Sequence, residues 1–300
     1  MTDISVLIVV KKDTEHLFET INSVSSWTRE VIVIDIGISQ EVRAKLKEKT
    51  TVSIISHKTV AYADQIRDAI TRYASSSYVF FLDPDEVVPK DLQIFIQDHY
   101  QKYDALSIPR KNIILGKWIK YARWWPDHQL RLYKKDAGTW EPSIHSKPVI
   151  TGTTFSIPPQ EQLALIHYNY RDLDHYFEKM TRYAKAEAAG YVSSKKQLTF
   201  PEALSKGVQE FISRFFAGDG YKDGMHGFTL SFLQSIYYPL VFFYFWELNK
   251  YIKVDENEIS TSVQKYYKDI FLQSAYWAPI KGLKSSLSRI QYFIISHLTR

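Results

Sequence analysis

An α/β fold over the first hundred residues, followed by a helical region, is what the sequence predicts. Two patterns carry this expectation. Four short β-branched or aromatic runs alternate with stretches of helical length and spacing, and beyond about Asp172 the alternation gives way to helical periodicity. A third observation marks where chemistry belongs: the fourth run, Tyr78–Leu82, stops abruptly at Asp83-Pro84-Asp85-Glu86.

The runs are Ile4–Val10, 31–35, Val52–Ser56 and Tyr78–Leu82, and 13–25, 40–49 and 62–74 lie between them. Buried parallel strands read as near-continuous apolar runs, and strand–helix alternation predicts a parallel sheet with right-handed crossovers. Pro84 cannot donate to a ladder, so the fourth run cannot continue as a central strand. Later strands are expected at 104–110 and 130–134, with a loop-rich, tryptophan-rich segment between them. No internal repeat or low-complexity tract interrupts the pattern.

Composition bounds the rest. An apolar fraction of 45% and an aromatic fraction of 15% in 300 residues fill a real core, which excludes global disorder. With no cysteine, disulfides and thiolate metal sites are out. The net charge of +5 is mild and needs no nucleic acid to explain it. No basic segment precedes Ile4–Val10, a poor signal peptide, so a cytoplasmic location is expected.

Two late segments stand out. Residues 228–246 contain no acid, lysine or arginine and are crowded with Phe and Tyr. An interfacial helix, a buried core helix and a membrane span all stay open for them, although Pro239, Gln234 and the many tyrosines weigh against a span. In 279–300, Ile280, Leu283, Leu287, Ile290, Ile294 and Leu298 recur at helical spacing beside Lys281, Lys284, Arg289 and Arg300. That is either a basic amphipathic helix for an anionic membrane surface or a docked helix with a solvated face.

Chemistry-bearing residues gather at strand ends. Carboxylates two apart after a buried strand, as at Asp83 and Asp85, suit a hard divalent cation shared with a substrate's phosphates; the bland alternative is a turn with a helix cap. Asp35 closes the second run in the same way, where a carboxylate accepts hydrogen bonds from a ribose or base, and Gly37 allows close approach. Arg67 is either a partner for a diphosphate or a solvated surface residue. Trp124 and Trp125 offer flat faces suited to sugars, or they fill a core. Asp127, fixed on a loop by Pro126, is placed to act as a general base. His145 offers an imidazole to complete an Asp-x-Asp metal site, with His167 as a rival.

The order of these pieces carries a resemblance. Asp35-x-Gly37 after a strand, then Phe-Leu-Asp83-Pro-Asp85-Glu86, then Pro-Arg110-x-Asn112 with Gly116-x-Trp118, then Trp125-Pro126-Asp127-x-Gln129-x-Arg131-Leu132 resembles family 2 glycosyltransferases. The bacterial lipopolysaccharide-core β-glucosyltransferase-like subgroup is also matched by His167-Tyr168-x-Tyr170-Arg171-Asp172, by Asp223-Gly224-x-x-Gly227 and by the aromatic stretch ending in Trp246-Glu247. The resemblance covers residues 3–250. It implies a GT-A fold, Rossmann-like and mostly parallel, over 1–171, followed by a helical, membrane-associating extension over 172–300. It also implies a nucleotide-sugar donor, a divalent cation (Mg or Mn) and inversion at the anomeric carbon; a UDP-linked hexose is the expected donor. Asp35 would contact the nucleoside, Asp83 and Asp85 would form the metal and donor motif, and Asp127 would be the base. Gln129 and Arg131 of the matched motif are expected on the donor together with Arg67, which lies outside the motifs, and by the resemblance His145 would complete the metal site. Departures are present: Gly37-Ile38-Ser39-Gln40 lacks the usual second acid, the first turn reads Lys11-Lys12-Asp13-Thr14-Glu15 instead of a Lys-Asn-Glu type, and His145 is followed by Ser146 instead of Glu. The expected acceptor is a surface glycan or lipid-linked saccharide at the inner membrane face. The alternatives are a polyprenyl-phosphate glycosyltransferase and a non-catalytic nucleotide-binding protein of the membrane surface.

Overall fold

A computed structural model describes residues 1–11, 15–60, 66–140 and 148–283. In chain order the elements are β1 (Ile4–Val10), α1 (Leu17–Ser25), β2 (Glu30–Asp35), α2 (Gln40–Lys47), β3 (Val52–Ser56), α3 (Arg67–Ile70), β4 (Tyr78–Leu82), β5 (Glu86–Val87) and α4 (Lys90–His99). There follow β6 (Ala105–Ile114), β7 (Lys117–Trp118), β8 (Asp127–Lys134), β9 (Gly138–Thr139), β10 (Val149–Ile150), β11 (Thr154–Ser156) and β12 (Leu165–Tyr170). The rest is helical: α5 (Leu173–Ser193), α6 (Phe200–Phe211), α7 (Met225–Ser235), α8 (Tyr237–Leu248) and α9 (Glu256–Ile280). The chain forms two compact units, one from Met1–Ile113 with Pro126–Asn169, the other from Ile114–Trp125 with the chain from Tyr170 onward.

The first unit is a twisted α/β sheet whose main path runs β3-β2-β1-β4-β8-β6-β12-β5. The four expected strands pair in parallel, β1 lying between β2 and β4 and β3 on the edge. Every residue of β1 is buried, as a strand covered on both faces requires. Its side chains alternate between two cores. Ile4, Val6, Ile8 and Val10 join Leu17, Ile21 and Val24 of α1 and Leu92 and Ile96 of α4, whereas Leu7 and Val9 join Ile66, Ile70 and Trp140 on the other face. Helix α1 buries Leu17, Thr20, Ile21 and Val24, the i, i+3, i+4, i+7 stripe of an amphipathic helix. Beyond β4 the sheet turns antiparallel, with β8 against β4 and β6 against β8.

The helix expected over 62–74 is described from Arg67 and is short, α3 followed by a 3-10 turn at Thr71–Tyr73. The strands expected at 104–110 and 130–134 are longer than their apolar runs, because pairing carries β6 and β8 on through polar residues. Asp127 is therefore not on a loop. It is the first residue of β8, directly opposite Arg110 of β6.

The second unit is a helical assembly with well-formed ends. Asp172 caps α5 through His175 N–H at 2.7 Å, and Thr199 and Glu202 form a reciprocal capping box on α6. Ala184 and Ala188 of α5 meet Val241, Phe242 and Phe245 of α8 in one core; Ile114, Ile119, Tyr176, Met180, Leu230 and Leu233 form another. Among the described residues one helical stretch, Met225–Leu248, is long and apolar enough to cross a membrane. Its apolar window is 39% buried within the protein, while Phe228, Phe232 and Phe243 stay exposed. Within 279–300, Pro279 and Ile280 end α9 and the stripe beyond residue 283 lies outside the described residues.

Candidate active site

The turn after β4 is built to hold carboxylates at the sheet edge. Glu86 N–H donates to Asp83 O at 3.0 Å, and Asp83 N–H donates to Glu86 Oε2 at 3.0 Å, so the turn is closed in both directions. The Thr20 hydroxyl donates to Pro84 O at 3.1 Å, and Tyr168 N–H donates to Asp85 O at 3.0 Å. With three elements gripping its backbone, Asp83-Pro84-Asp85 presents its side chains in a fixed direction.

Those side chains meet two strands that arrive antiparallel. Pairing of β6 with β8 sets Arg110 opposite Asp127, and the period of two carries Asn112 and Gln129 beside them. The register shifts between Leu106 and Ser107, whose partners are Leu132 and Leu130, leaving Arg131 with no residue opposite. Irregularities of this kind re-aim a side chain next to a functional site. Here it is the Arg131 guanidinium that is re-aimed, onto both Asp83 Oδ2 and Glu86 Oε1.

A closed network results. Asp83 Oδ1 also accepts from Arg67 Nη2 at 2.9 Å, and Arg67 lies over the ring of Trp140 at 4.9 Å. The solvated reading of Arg67 is thereby overturned, since β4 and Trp140 bury it to 8% exposure. Glu86, with no exposed surface, accepts from Arg131 and from Arg110 Nη1 at 3.1 Å. Arg110 in turn holds Asp127, donating from Nε at 2.9 Å, and Asn112 Nδ2 donates to the same oxygen at 3.2 Å. Asp127 Oδ1 accepts from Gln129 Nε2 at 2.7 Å. The run of contacts is Arg67, Asp83, Arg131, Glu86, Arg110, Asp127.

Electrostatics follow from these contacts. Burial opposes ionisation of Asp83, but Arg131 and then Arg67 outweigh it and hold its carboxyl well below the usual range. Burial likewise opposes the charge on Asp127, and Arg110, with Asn112 and Gln129, lowers its carboxyl below the ordinary value. Burial would lower Arg131, yet Asp83 and Glu86 raise it, so it stays charged.

His167 sits in β12 next to this network. Its Nδ1 lies 2.6 Å from Asn112 Oδ1, and its Nε2 lies 3.8 Å from Asp85 Oδ1. The Asn112 amide must direct its NH2 to the acceptor-only Asp127 carboxylate, so its oxygen faces His167. Nδ1 then carries the proton, and Nε2 faces the Asp85 carboxylate with its lone pair. A carboxylate and an imidazole are ligand types that a divalent cation accepts beside phosphate and water. Among the described residues no cluster of three or more histidine and acidic side chains forms a complete cage.

The structure thus brings together Arg67, Asp83, Asp85, Asp127, Gln129, Arg131 and His167, the rival to His145, from the sequence reading, and adds Glu86, Arg110 and Asn112. Asp35 is apart from them. It ends β2, two strands from β4, accepts from Gly37 N–H at 2.9 Å and Ile38 N–H at 3.0 Å, and pairs with Arg43. A side chain at Gly37 would meet Lys11 O at 2.8 Å, and its φ of +145° also favours glycine. His145 lies outside the described residues. Glu86 and Arg110 stood within the quoted motifs, but only the strand register reveals their roles.

No known family model matches the chain. It is similar to an uncharacterized glycosyltransferase of Rickettsia conorii, 24% identical over 250 residues, 77% of this chain and 85% of the relative. One from Rickettsia felis is 23% identical over 253 residues, 78% and 86% of the two chains. Among solved structures it is similar to residues 1–349 of S. aureus TarS, with a TM-score of 0.37 and 15% identity over 90% of this chain and 79% of that one. The bifunctional IspDF of Campylobacter jejuni gives a TM-score of 0.40 and 9% identity, over 58% of this chain and about half of that one, 54%. Structural likeness at these scores carries no argument about function.

Proposed function

We infer that the protein is an inverting glycosyltransferase that moves a hexosyl group from a UDP-linked donor to a saccharide or lipid-linked acceptor. The observation that carries this reading is the network joining Asp83 to Asp127 through Arg131, Glu86 and Arg110, set at the carboxyl end of the central parallel strand β4. Open α/β sheets bind their ligands at that edge. The likeness to glycosyltransferases in Rickettsia supports the same class.

Transfer breaks the bond between the anomeric carbon and the diphosphate oxygen, which leaves with the electron pair, and forms a bond to an acceptor oxygen. The leaving group needs positive charge in place before the reaction, and Arg67 and Arg131 supply it from buried, fixed positions. In this proposal Asp85 and His167 hold a Mg or Mn ion, which when bound would screen the same developing charge. Asp127, kept ionised and oriented by Arg110, Asn112 and Gln129, takes the acceptor hydroxyl's proton through Oδ1, where only Gln129 donates among the described residues. The contacts that orient Asp127 also weaken it as a base, and in return they keep it ionised and ready to accept a proton at neutral pH. The cytoplasmic membrane face remains the proposed location, with exposed Phe228, Phe232 and Phe243 as apolar contacts. A panel of nucleotide sugars, assayed for UDP release with manganese or magnesium, tests the reading. Release from at least one UDP-sugar, abolished in Asp83→Asn, is expected; no turnover or binding of any nucleotide sugar would overturn it.

A further inference from the structure

The second unit contains a segment whose construction the donor chemistry does not explain. From Leu115 to Trp125 the chain carries three tryptophans, a tyrosine and three cations, Lys117, Lys120 and Arg123, with no acid. Leu115, Ala122 and Arg123 all adopt positive φ, at 50°, 55° and 69°, a conformation that side chains disfavour. Strain of this kind persists only where surrounding structure enforces it.

The enforcing element is Asp223-Gly224-x-x-Gly227. Asp223 is 4% exposed, and its Oδ2 accepts the backbone N–H groups of Lys120 at 3.1 Å and Tyr121 at 2.8 Å. Lys117 Nζ donates to Asp223 O at 2.8 Å, and His226 Nε2 lies 3.2 Å from Leu115 O. Ala122 is gripped from both sides: its N–H donates to Gly218 O at 2.8 Å, and its carbonyl accepts from Arg214 Nη1 at 3.1 Å. A Cβ on Gly227 would come within 1.8 Å of Gly220 O, so this packing needs glycine there. Ile119 and Ala122 turn fully inward.

What this clamp holds is a right-angled corner of two half-buried aromatic rings. The rings of Trp118 and Trp125 lie 5.3 Å apart at 89°, and Lys120 Nζ is held 4.1 Å from the Trp118 centroid. Lys117 is committed to Asp223 and Arg123 to Glu210, whereas the exposed Lys120 makes no ion pair among the described residues. An indole face takes the C–H face of a pyranose, a second indole walls it, and the ammonium takes an anion.

We propose that Trp118, Lys120 and Trp125 form a binding site for a saccharide bearing an anionic group, a carboxylate or a phosphate, with Asp223 as the residue that positions it. As the acceptor side of the reaction, the site rests on the glycosyl-transfer reading; as a saccharide site it stands on its own geometry.

The test is saturation-transfer NMR and calorimetry on the full chain with glucose, glucuronic acid and glucose 6-phosphate, UDP being titrated in parallel. Glucuronic acid or glucose 6-phosphate should bind about tenfold more tightly than glucose, the effect of one hydrogen bond to a charged group. The two anionic sugars tell carboxylate from phosphate. Lys120→Met, which keeps the apolar stem, should erase the preference, and Trp125→Ala should abolish binding of all three, with UDP affinity unchanged in both. Asp223→Ala should weaken every sugar while leaving UDP binding intact. No binding of any sugar by the native chain, no preference for the anionic ones, or a preference that survives Lys120→Met would overturn the proposal. Loss of UDP binding by the native chain would instead remove the glycosyl-transfer reading and leave the sugar results to judge the site alone.

Discussion

Glu86 is the structural centre of the candidate site, and replacing it has a consequence that can be worked out. Its carboxylate has no exposed surface, yet it accepts from two guanidiniums, Arg110 and Arg131, and from the Asp83 backbone N–H. In Glu86→Gln the side chain keeps its shape and one oxygen, but the charge goes and an NH2 group is turned toward a cation. Removing one partner of a buried ion pair costs about 3–5 kcal/mol, because the remaining charge stays buried. Arg131, 3% exposed, cannot reach water to recover that loss. For a domain of this size each kcal/mol lowers the melting temperature by about 2–4 °C, so a fall of about 6–20 °C is expected. The surface pair Lys45–Glu41 is the internal control, since Glu41→Gln there should change stability by at most about 0.5 kcal/mol. Thermal and urea unfolding followed by circular dichroism give both numbers. UDP affinity should also fall in Glu86→Gln, because Arg131 loses the carboxylate that helps hold its guanidinium on Asp83. Equal melting temperatures for Glu86→Gln and the native chain would refute the network as drawn.

Three other outcomes follow from the same geometry. Asp127→Asn should leave UDP binding intact while transfer falls by about 10²–10⁴-fold, the usual share of a general base; near-native transfer would assign the base elsewhere. Because Arg110 depresses the Asp127 carboxyl, the stability from that pair is complete above the unfolded value of about 4 and is lost only as pH falls through the lower folded value. Arg110→Gln should therefore move acid unfolding, and the acid limb of the rate profile, to higher pH; an unmoved limb contradicts the pairing. If the exposed aromatic residues of α7 and α8 engage a membrane interface, Phe228→Ser with Phe232→Ser should reduce cosedimentation with anionic vesicles in low salt, and unchanged cosedimentation would remove those residues from the membrane account.

Strands β1 to β4 were legible nearly to the residue, because strands covered on both faces must be apolar throughout and their ends show as changes of composition. The carboxylates after β4 were legible for the same reason. What was hidden is non-local. Pro126 reads as a loop signal, yet pairing with Arg110 draws Asp127 into β8. Arg67 reads as a surface residue until Asp83 and Trp140 are seen to enclose it. Glu86 and Arg110 stood inside the quoted motifs without a role, because their roles depend on the register between β6 and β8, which no local pattern specifies. The tryptophan segment was visible as a loop, but its membership of the helical unit depends on Asp223, more than a hundred residues away.

Calorimetric titration of UDP, with and without manganese, into the native chain and Asp83→Asn tests the central claim most directly. The account predicts binding to the native chain that manganese strengthens, and binding to Asp83→Asn that is at least about tenfold weaker, the scale of one charge-assisted contact in a buried site. Equal UDP affinity in the two proteins, whatever the metal, would contradict it.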